Sequence, residues 1–354
     1  MKIMNILLVS PLPPPSGGMA TWTEQYLRDS DGVNTVYTVN TAFIGERALH
    51  KGGRMKIVPE IKRMASILRN YLKILRTQSV DVVHINSSCS KTGILRDALC
   101  VVFANKKHIV FHCHCNIQDQ LKGRLAIKIG KYVFNRADCV LVLNKASLDY
   151  VSELSRSRVR MIPNAIAHDL IAPKYVVSDS LRNIVYVGHV KPKKGILEII
   201  EAASMEEDIR FHLVGPVSDE IKKVYAPKNI VFYGRKSHDE TMKIMKKADA
   251  FLFPSYTEGF SMVMLEAMAT GLPIIASDVG SNADMIETEG GVIIKSQSGN
   301  EIVQAIERIR SKKVRAEMSM WNLHKVEGSY RDDAVFKQIQ EVYHEICVPD
   351  LESD

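Results

Sequence analysis

The sequence predicts two doubly wound α/β domains in tandem, on three observations. The chain has 354 residues, the length of two ordinary domains. A near-continuous apolar run, Ile3 to Ser10, leads into a glycine-containing loop and a helical segment, and a second such opening begins at Asn183 to Gly188. The stretch from Phe253 to Ser277 reads as strand end, loop, helix, turn and strand. Hydrophobic content of 46% and charged content of 25% are those of a globular protein, which excludes a disordered chain.

In chain order, Ile3 to Ser10 is a strand buried on both faces. Pro11 to Pro15 stiffen the exit from it, and Ser16, Gly17 and Gly18 relax the turn into a helix at Met19 to Leu27. Val33 to Val39 is a second strand. Ile57 to Leu75 is an amphipathic helix bearing Lys56, Lys62, Arg63, Arg69, Lys73 and Arg76. Strands follow at Asp81 to Asn86, Ile109 to Cys115, Asn135 to Val142 and Val159 to Asn164, and residues 165–182 read as an irregular linker. In the second half, Phe211 to Gly215, Ile230 to Gly234 and Ala248 to Ser255 are strands, and Asp333 to Ile346 is the final helix. The expected division is 1–172, 173–332 and a terminal segment 333–354 that packs back on the first domain.

The corner after Phe253 carries the most chemistry. Pro254 stops the strand, Ser261 is placed to cap a helix, and Gly271 and Pro273 end it. Glu258 lies before the corner and Glu266 about one turn into the helix. A helix start offers unpaired N–H groups and partial positive charge, so Gly259, Phe260, Ser261 and Met262 suit a phosphate. Glu266 and Glu258 could accept hydrogen bonds from neutral hydroxyls, those of a ribose and of a sugar. Taken alone, the same corner also fits an ordinary βαβ connection with two solvated glutamates.

Glu258-Gly259-Phe260, with Leu265 to Ala269 and Gly271-Leu272-Pro273, resembles the E-x7-E signature of family 4 glycosyltransferases. That resemblance implies the GT-B fold, two Rossmann-like domains facing a cleft, and retaining transfer of a hexosyl unit from a nucleoside-diphosphate sugar, a UDP-sugar before a GDP-sugar. The acceptor it implies is a glycan or a lipid-linked acceptor of cell-surface polysaccharide or glycolipid synthesis. Gly188 to Gly195 is similar to the family's GR-x-x-x-x-KG loop: Lys194 matches the lysine that clamps the donor diphosphate, and His189 stands where arginine is usual. Gly17 and Gly18 match a glycine pair near the donor phosphates, and Arg235 follows the strand whose exit holds the base. His114 matches a histidine beside the transferred sugar. Asp81 to Asn86 matches a DVVH strand, and in Val159 to Asn164 the family's following glycine is replaced by Ala165. The resemblance thus assigns His114, Lys194 and Glu258 to catalysis, with the leaving phosphate taking the acceptor's proton. No metal and no cofactor beyond the donor are expected, since no D-x-D-like pair sits at a strand end. A sugar-nucleotide epimerase and a non-catalytic binding subunit remain as rivals.

Charge is uneven. Residues 1–178 hold 25 Lys and Arg against 12 Asp and Glu, and residues 179–354 hold 22 against 28. On charge alone the basic half suits nucleic acid or an anionic membrane. The implied lipid-linked acceptor favours the membrane and leaves no role for nucleic acid. The six cysteines lie mostly in apolar surroundings and read as reduced core thiols. His112, Cys113, His114 and Cys115 alternate along a strand, so they cannot converge on one zinc. The apolar run after Lys2 is too short for a secretory signal or a span, so a cytoplasmic or peripheral protein is expected.

Overall fold

The computed structural model describes residues 3–14, 17–30, 32–42, 57–172, 176–295 and 298–347. The chain forms two compact units, one running to Ala165 and resuming at Asp332, the other Ile166–Arg331. The first junction thus precedes the 172/173 boundary read from the sequence. Ile166 donates its N–H to the Tyr330 carbonyl at 2.8 Å, and Ala172 to that of Ala269 at 2.8 Å, so the linker's start is tied into the second unit.

The N-terminal unit is built from β1 (Asn5–Ser10), α1 (Gly18–Asp29), β2 (Thr35–Asn40), α2 (Ile57–Thr77), β3 (Val82–Ser87), α3 (Lys91–Phe103), β4 (His108–Cys113), α4 (Ile117–Gln120), α5 (Arg124–Arg136), β5 (Cys139–Val142), α6 (Lys145–Leu154) and β6 (Arg158–Met161). Its sheet is wholly parallel in the order β2-β1-β3-β4-β5-β6. Alternation along β1 explains the unbroken apolar run. Leu7 and Val9 enter one core with Ile67, Tyr71, Ile94, Val101, Val133 and Phe134 of α2, α3 and α5. Ile6 and Leu8 enter the other with Trp22 and Tyr26 of α1 and Phe336, Ile339 and Tyr343 of the last helix. Both faces are therefore covered, as parallel strands require.

The strand expected at Ile109 to Cys115 ends at Cys113, so alternation governs His112 and Cys113 but not His114 and Cys115 beyond them. The strand expected at Val33 begins at Thr35, because Val33 and Asn34 turn back with their N–H groups on the Ser30 carbonyl. Lys56, Pro15 and Ser16, named in the sequence reading, lie outside the described residues.

The second unit holds β7 (Asn183–Val187), α7 (Ile196–Met205), β8 (Arg210–Val214), β9 (Ile230–Gly234), α8 (His238–Met245), β10 (Ala250–Phe253), α9 (Met262–Ala269), β11 (Ile274–Ser277), α10 (Asn282–Ile286), β12 (Gly291–Ile294), α11 (Gly299–Arg308) and α12 (Lys312–Ser329). A final helix, α13 (Asp332–Cys347), belongs to the N-terminal unit, where the Tyr343 hydroxyl meets that of Tyr26 at 2.9 Å. The second sheet is parallel in the order β12-β11-β10-β7-β8-β9. From β7 the chain winds first to β8 and β9, then returns to β10 on the other side. The order therefore reverses between β7 and β10, and ligands of open α/β sheets bind beyond such strand ends. Among the described residues no helix is long and apolar enough to cross a membrane. All six cysteines are free thiols, five of them buried.

Candidate functional site

The loops after β7 and β10 flank the switch point of the second sheet and lock together. The first is pinned at its backbone. The Tyr186 hydroxyl donates to the His189 carbonyl at 3.0 Å, and Val190 pairs with the segment after β8 through Pro216 and Ser218. Between these anchors the His189 side chain is exposed. A short 3-10 turn, Pro192–Lys194, follows, and Gly195 closes it at φ 75° before α7 starts. A Cβ on Gly195 would run into the Pro254 carbonyl, so only glycine lets the two loops approach this closely.

The loop after β10 meets that turn. Tyr256 donates its N–H to the Lys193 carbonyl at 3.3 Å and its hydroxyl to Glu198 at 2.5 Å. Lys194 and Glu258 form a direct ion pair, with side chains 23% and 15% exposed. Water therefore screens this pair less than it would a surface pair. From the other side, Gly280 at φ 60° lies against the Glu258 and Gly259 carbonyls, and Ser281 donates its N–H to Gly259 at 3.0 Å. Ser277 donates its hydroxyl to the Ser255 carbonyl at 2.5 Å. The acidic loop is thus held by its backbone on two sides.

Ser261 caps α9, its hydroxyl accepting from Met264 N–H at 3.3 Å, and Met262 opens the helix. Phe260 packs edge-on to Tyr330 at 5.8 Å, so its ring serves the core. Glu266 is 13% exposed and accepts from His238 Nε2 at 3.2 Å. That contact raises the His238 pKa from its ordinary value. His238 is a residue that the sequence reading missed. Its own helix start was legible, since Ser237 and Glu240 form a capping box, but its pairing with Glu266 joins two helices distant in sequence. Arg235 is exposed at the exit of β9, and its neighbour Lys236 is engaged with Glu240 at 3.3 Å.

In the N-terminal unit Gly17 precedes α1 and Gly18 begins it. A Cβ on Gly17 would meet nothing within 4 Å, so packing does not demand glycine there. His114 lies just past β4, bonded to Asn86 at 3.2 Å, with its ring 4.0 Å from that of His112. Burial holds its pKa down to about 3, which keeps it neutral. His112 is fully buried beside Trp22 and His84, and no side chain among the described residues bonds either of its ring nitrogens. Its place is in the core. Among the described residues no group of three or more His, Cys, Asp and Glu is arranged to hold a metal ion.

The second unit brings Lys194, Glu258 and Glu266 to one switch point, with a carboxylate on either side of a helix start. Solved structures place this architecture in the GT-B class. Sucrose-phosphate synthase from Thermosynechococcus elongatus superposes with a TM-score of 0.76 at 18% identity, over 97% of this chain and 99% of that one. Anabaena HepE, solved in complex with UDP, gives 0.74 at 16% identity over 96% and 99%. The model for glycosyltransferase family 4 matches residues 24–170, and that for glycosyl transferases group 1 matches residues 169–320. The chain belongs to this family. Among its curated relatives, the Escherichia coli UDP-Gal:alpha-D-GlcNAc-diphosphoundecaprenol alpha-1,3-galactosyltransferase is 26% identical over 319 residues, 81% of each chain.

Proposed function

We propose that this protein is a retaining hexosyltransferase that uses a nucleoside-diphosphate sugar, UDP-linked before GDP-linked, and a lipid-linked or glycan acceptor of cell-surface polysaccharide synthesis. The observation that carries the reading is the Lys194–Glu258 pair at the switch point, with Glu266 on the helix beyond it. In the donor complex Lys194, with His189 and the N–H groups at Gly259 to Met262, faces the diphosphate. Glu258, released from Lys194, accepts from sugar hydroxyls, and Glu266 accepts from the ribose. Phe260 and Ser261 hold the shape of this corner, and Arg235 lies on the base side. A preorganised cation at the leaving phosphate stabilises charge as the glycosidic bond breaks. The leaving phosphate itself takes the acceptor's proton, so no protein nucleophile is needed. The N-terminal unit takes the acceptor, with Gly17, Gly18 and His114 on its substrate side, and it works at the cytoplasmic face of an anionic membrane. The uridine-diphosphate donor of the E. coli relative and the UDP bound to HepE support the choice of nucleotide.

Release of UDP from UDP-sugars, assayed with a polyprenyl-diphosphate-linked sugar as acceptor, tests the reading. Binding of the donor without any turnover would instead identify a non-catalytic subunit. Inversion of the donor sugar without transfer would identify an epimerase. No cofactor enters the scheme, and basic groups serve the diphosphate where a metal would otherwise bridge it. Turnover should therefore survive EDTA nearly unchanged. Strict dependence on added Mg²⁺ or Mn²⁺ would overturn that part.

A further inference from the structure

Three neighbouring helices of the N-terminal unit, α2, α3 and α5, turn one side to the core and present an unusual other side. A surface helix ordinarily keeps large apolar residues inward. Here Ile61 is 59% exposed, Leu95 46%, Val102 52%, Phe103 44%, Leu125 72% and Tyr132 44%. On α5, Leu125, Lys128 and Tyr132 fall on one stripe, flanked by Arg124 and Lys131, all exposed.

The charge on this layer has one sign. The only acidic residues of the three helices are Glu60 and Asp97. Glu60 is 7% exposed and paired with Arg63 at 2.6 Å, and Asp97 is fully buried and paired with Arg96 at 2.6 Å. Arg63, one of the basic residues of α2, also donates to the Thr41 carbonyl at 2.8 Å and is turned inward. What faces outward is Lys62, Arg69 and Lys73 on α2 and Arg124, Lys128 and Lys131 on α5, and none of the three helices carries an exposed acid.

From this layer we propose that the outer face of α2, α3 and α5 docks on an anionic lipid bilayer, with Phe103, Leu125 and Tyr132 entering the headgroup region and the cations meeting lipid phosphates. Single apolar side chains spaced among cations suit an interface in which every group finds either acyl chain or phosphate. A protein partner would need acids placed opposite each cation. The inference deepens the membrane role proposed above by naming the surface that would carry it. It relies on the glycosyltransferase reading only for the presence of a lipid acceptor, and vesicle binding is measured without donor.

Cosedimentation of the full chain with phosphatidylcholine vesicles, with and without phosphatidylglycerol, tests it. Binding is expected only to the anionic vesicles, strong in ~0.1 M salt and weak in ~0.5 M. Each cation near the surface contributes about fivefold to partitioning, so Arg124→Glu with Lys128→Glu and Lys131→Glu should lower it by about a hundredfold or more. Leu125→Ser with Phe103→Ser should lower it several-fold and leave the salt dependence. Hydrogen exchange of the wild type gives a second reading, with protection on vesicles expected in α2, α3 and α5. Urea unfolding followed by circular dichroism reports that the variants are folded, and failure of the wild type to bind UDP would count against the donor reading, not this one. Equal binding to neutral vesicles, retention by the charge-reversed variant, protection confined to other segments, or self-association abolished by Leu125→Ser would each overturn the proposal.

Discussion

Between about pH 7 and about pH 5 the N-terminal unit should lose about 4 kcal/mol of stability through His84 and His112. Both are fully buried. Burial and the neighbouring imidazoles hold His84 down to about 3 and His112 well below its ordinary value. An unfolded histidine titrates near ~6.5. Because the folded pKa is depressed, protons bind the unfolded chain preferentially. The stabilisation is therefore fully present above ~6.5 and is lost as pH falls below it, at about 1.4 kcal/mol per unit for each imidazole. His114, which burial likewise holds down to about 3, adds to the same loss. Asp29 works in the opposite sense, since burial and the charges of Asp332 and Asp333 raise it to about 6, but it is half-buried and offsets only part of the loss. The chain has two tryptophans, so in a Trp321→Phe background Trp22, which packs edge-on to His84 and His112, reports the unit. Urea unfolding should show the falling midpoint, and His112→Gln should reduce the slope by one group's share. Equal midpoints at the two pH values would contradict the account.

Lys194→Met should reduce kcat by roughly 10²–10³-fold, the usual cost of removing a group aimed at charge that develops in the transition state. The loss should fall on kcat more than on donor KM, because the charge to be stabilised grows as the phosphate leaves. Glu258→Gln should also impair turnover, since an amide cannot replace a carboxylate as acceptor to several hydroxyls and leaves Lys194 without its partner. Steady-state kinetics with a saturating UDP-sugar checks both. A loss of less than about tenfold for Lys194→Met would remove this residue from the leaving-group site.

Much of this was legible in the sequence because it is local. The unbroken apolar run of β1 announced burial on two faces, and Leu7 and Ile6 do enter different cores. Pro254, Ser261 and Gly271 punctuate the corner as their chemistry requires, with Gly271 in the left-handed conformation at φ 78° after α9. The pairing of Lys194 with Glu258 was not legible, since it depends on β10 lying beside β7, a return across the sheet that no local pattern specifies. The contact of His238 with Glu266 was hidden for the same reason. So was the bond of Tyr343, near the chain end, to His84 in β3 at 2.5 Å. Amphipathicity identified α2 as basic, but only the packed layer revealed which cations are engaged inward and which apolar residues of α3 and α5 stay outside.

In the proposed function Glu266 serves the nucleotide and Glu258 the sugar. Calorimetry of UDP, with GDP in parallel, on the wild type and the two alanine variants tests it most directly. Glu266→Ala should weaken binding of the preferred nucleotide by about 1.5–3 kcal/mol, through the lost hydrogen bonds of a charged acceptor. Glu258→Ala should leave that affinity close to the wild type while abolishing most turnover. Equal losses of nucleotide affinity in the two variants, or no loss in Glu266→Ala, would contradict the account.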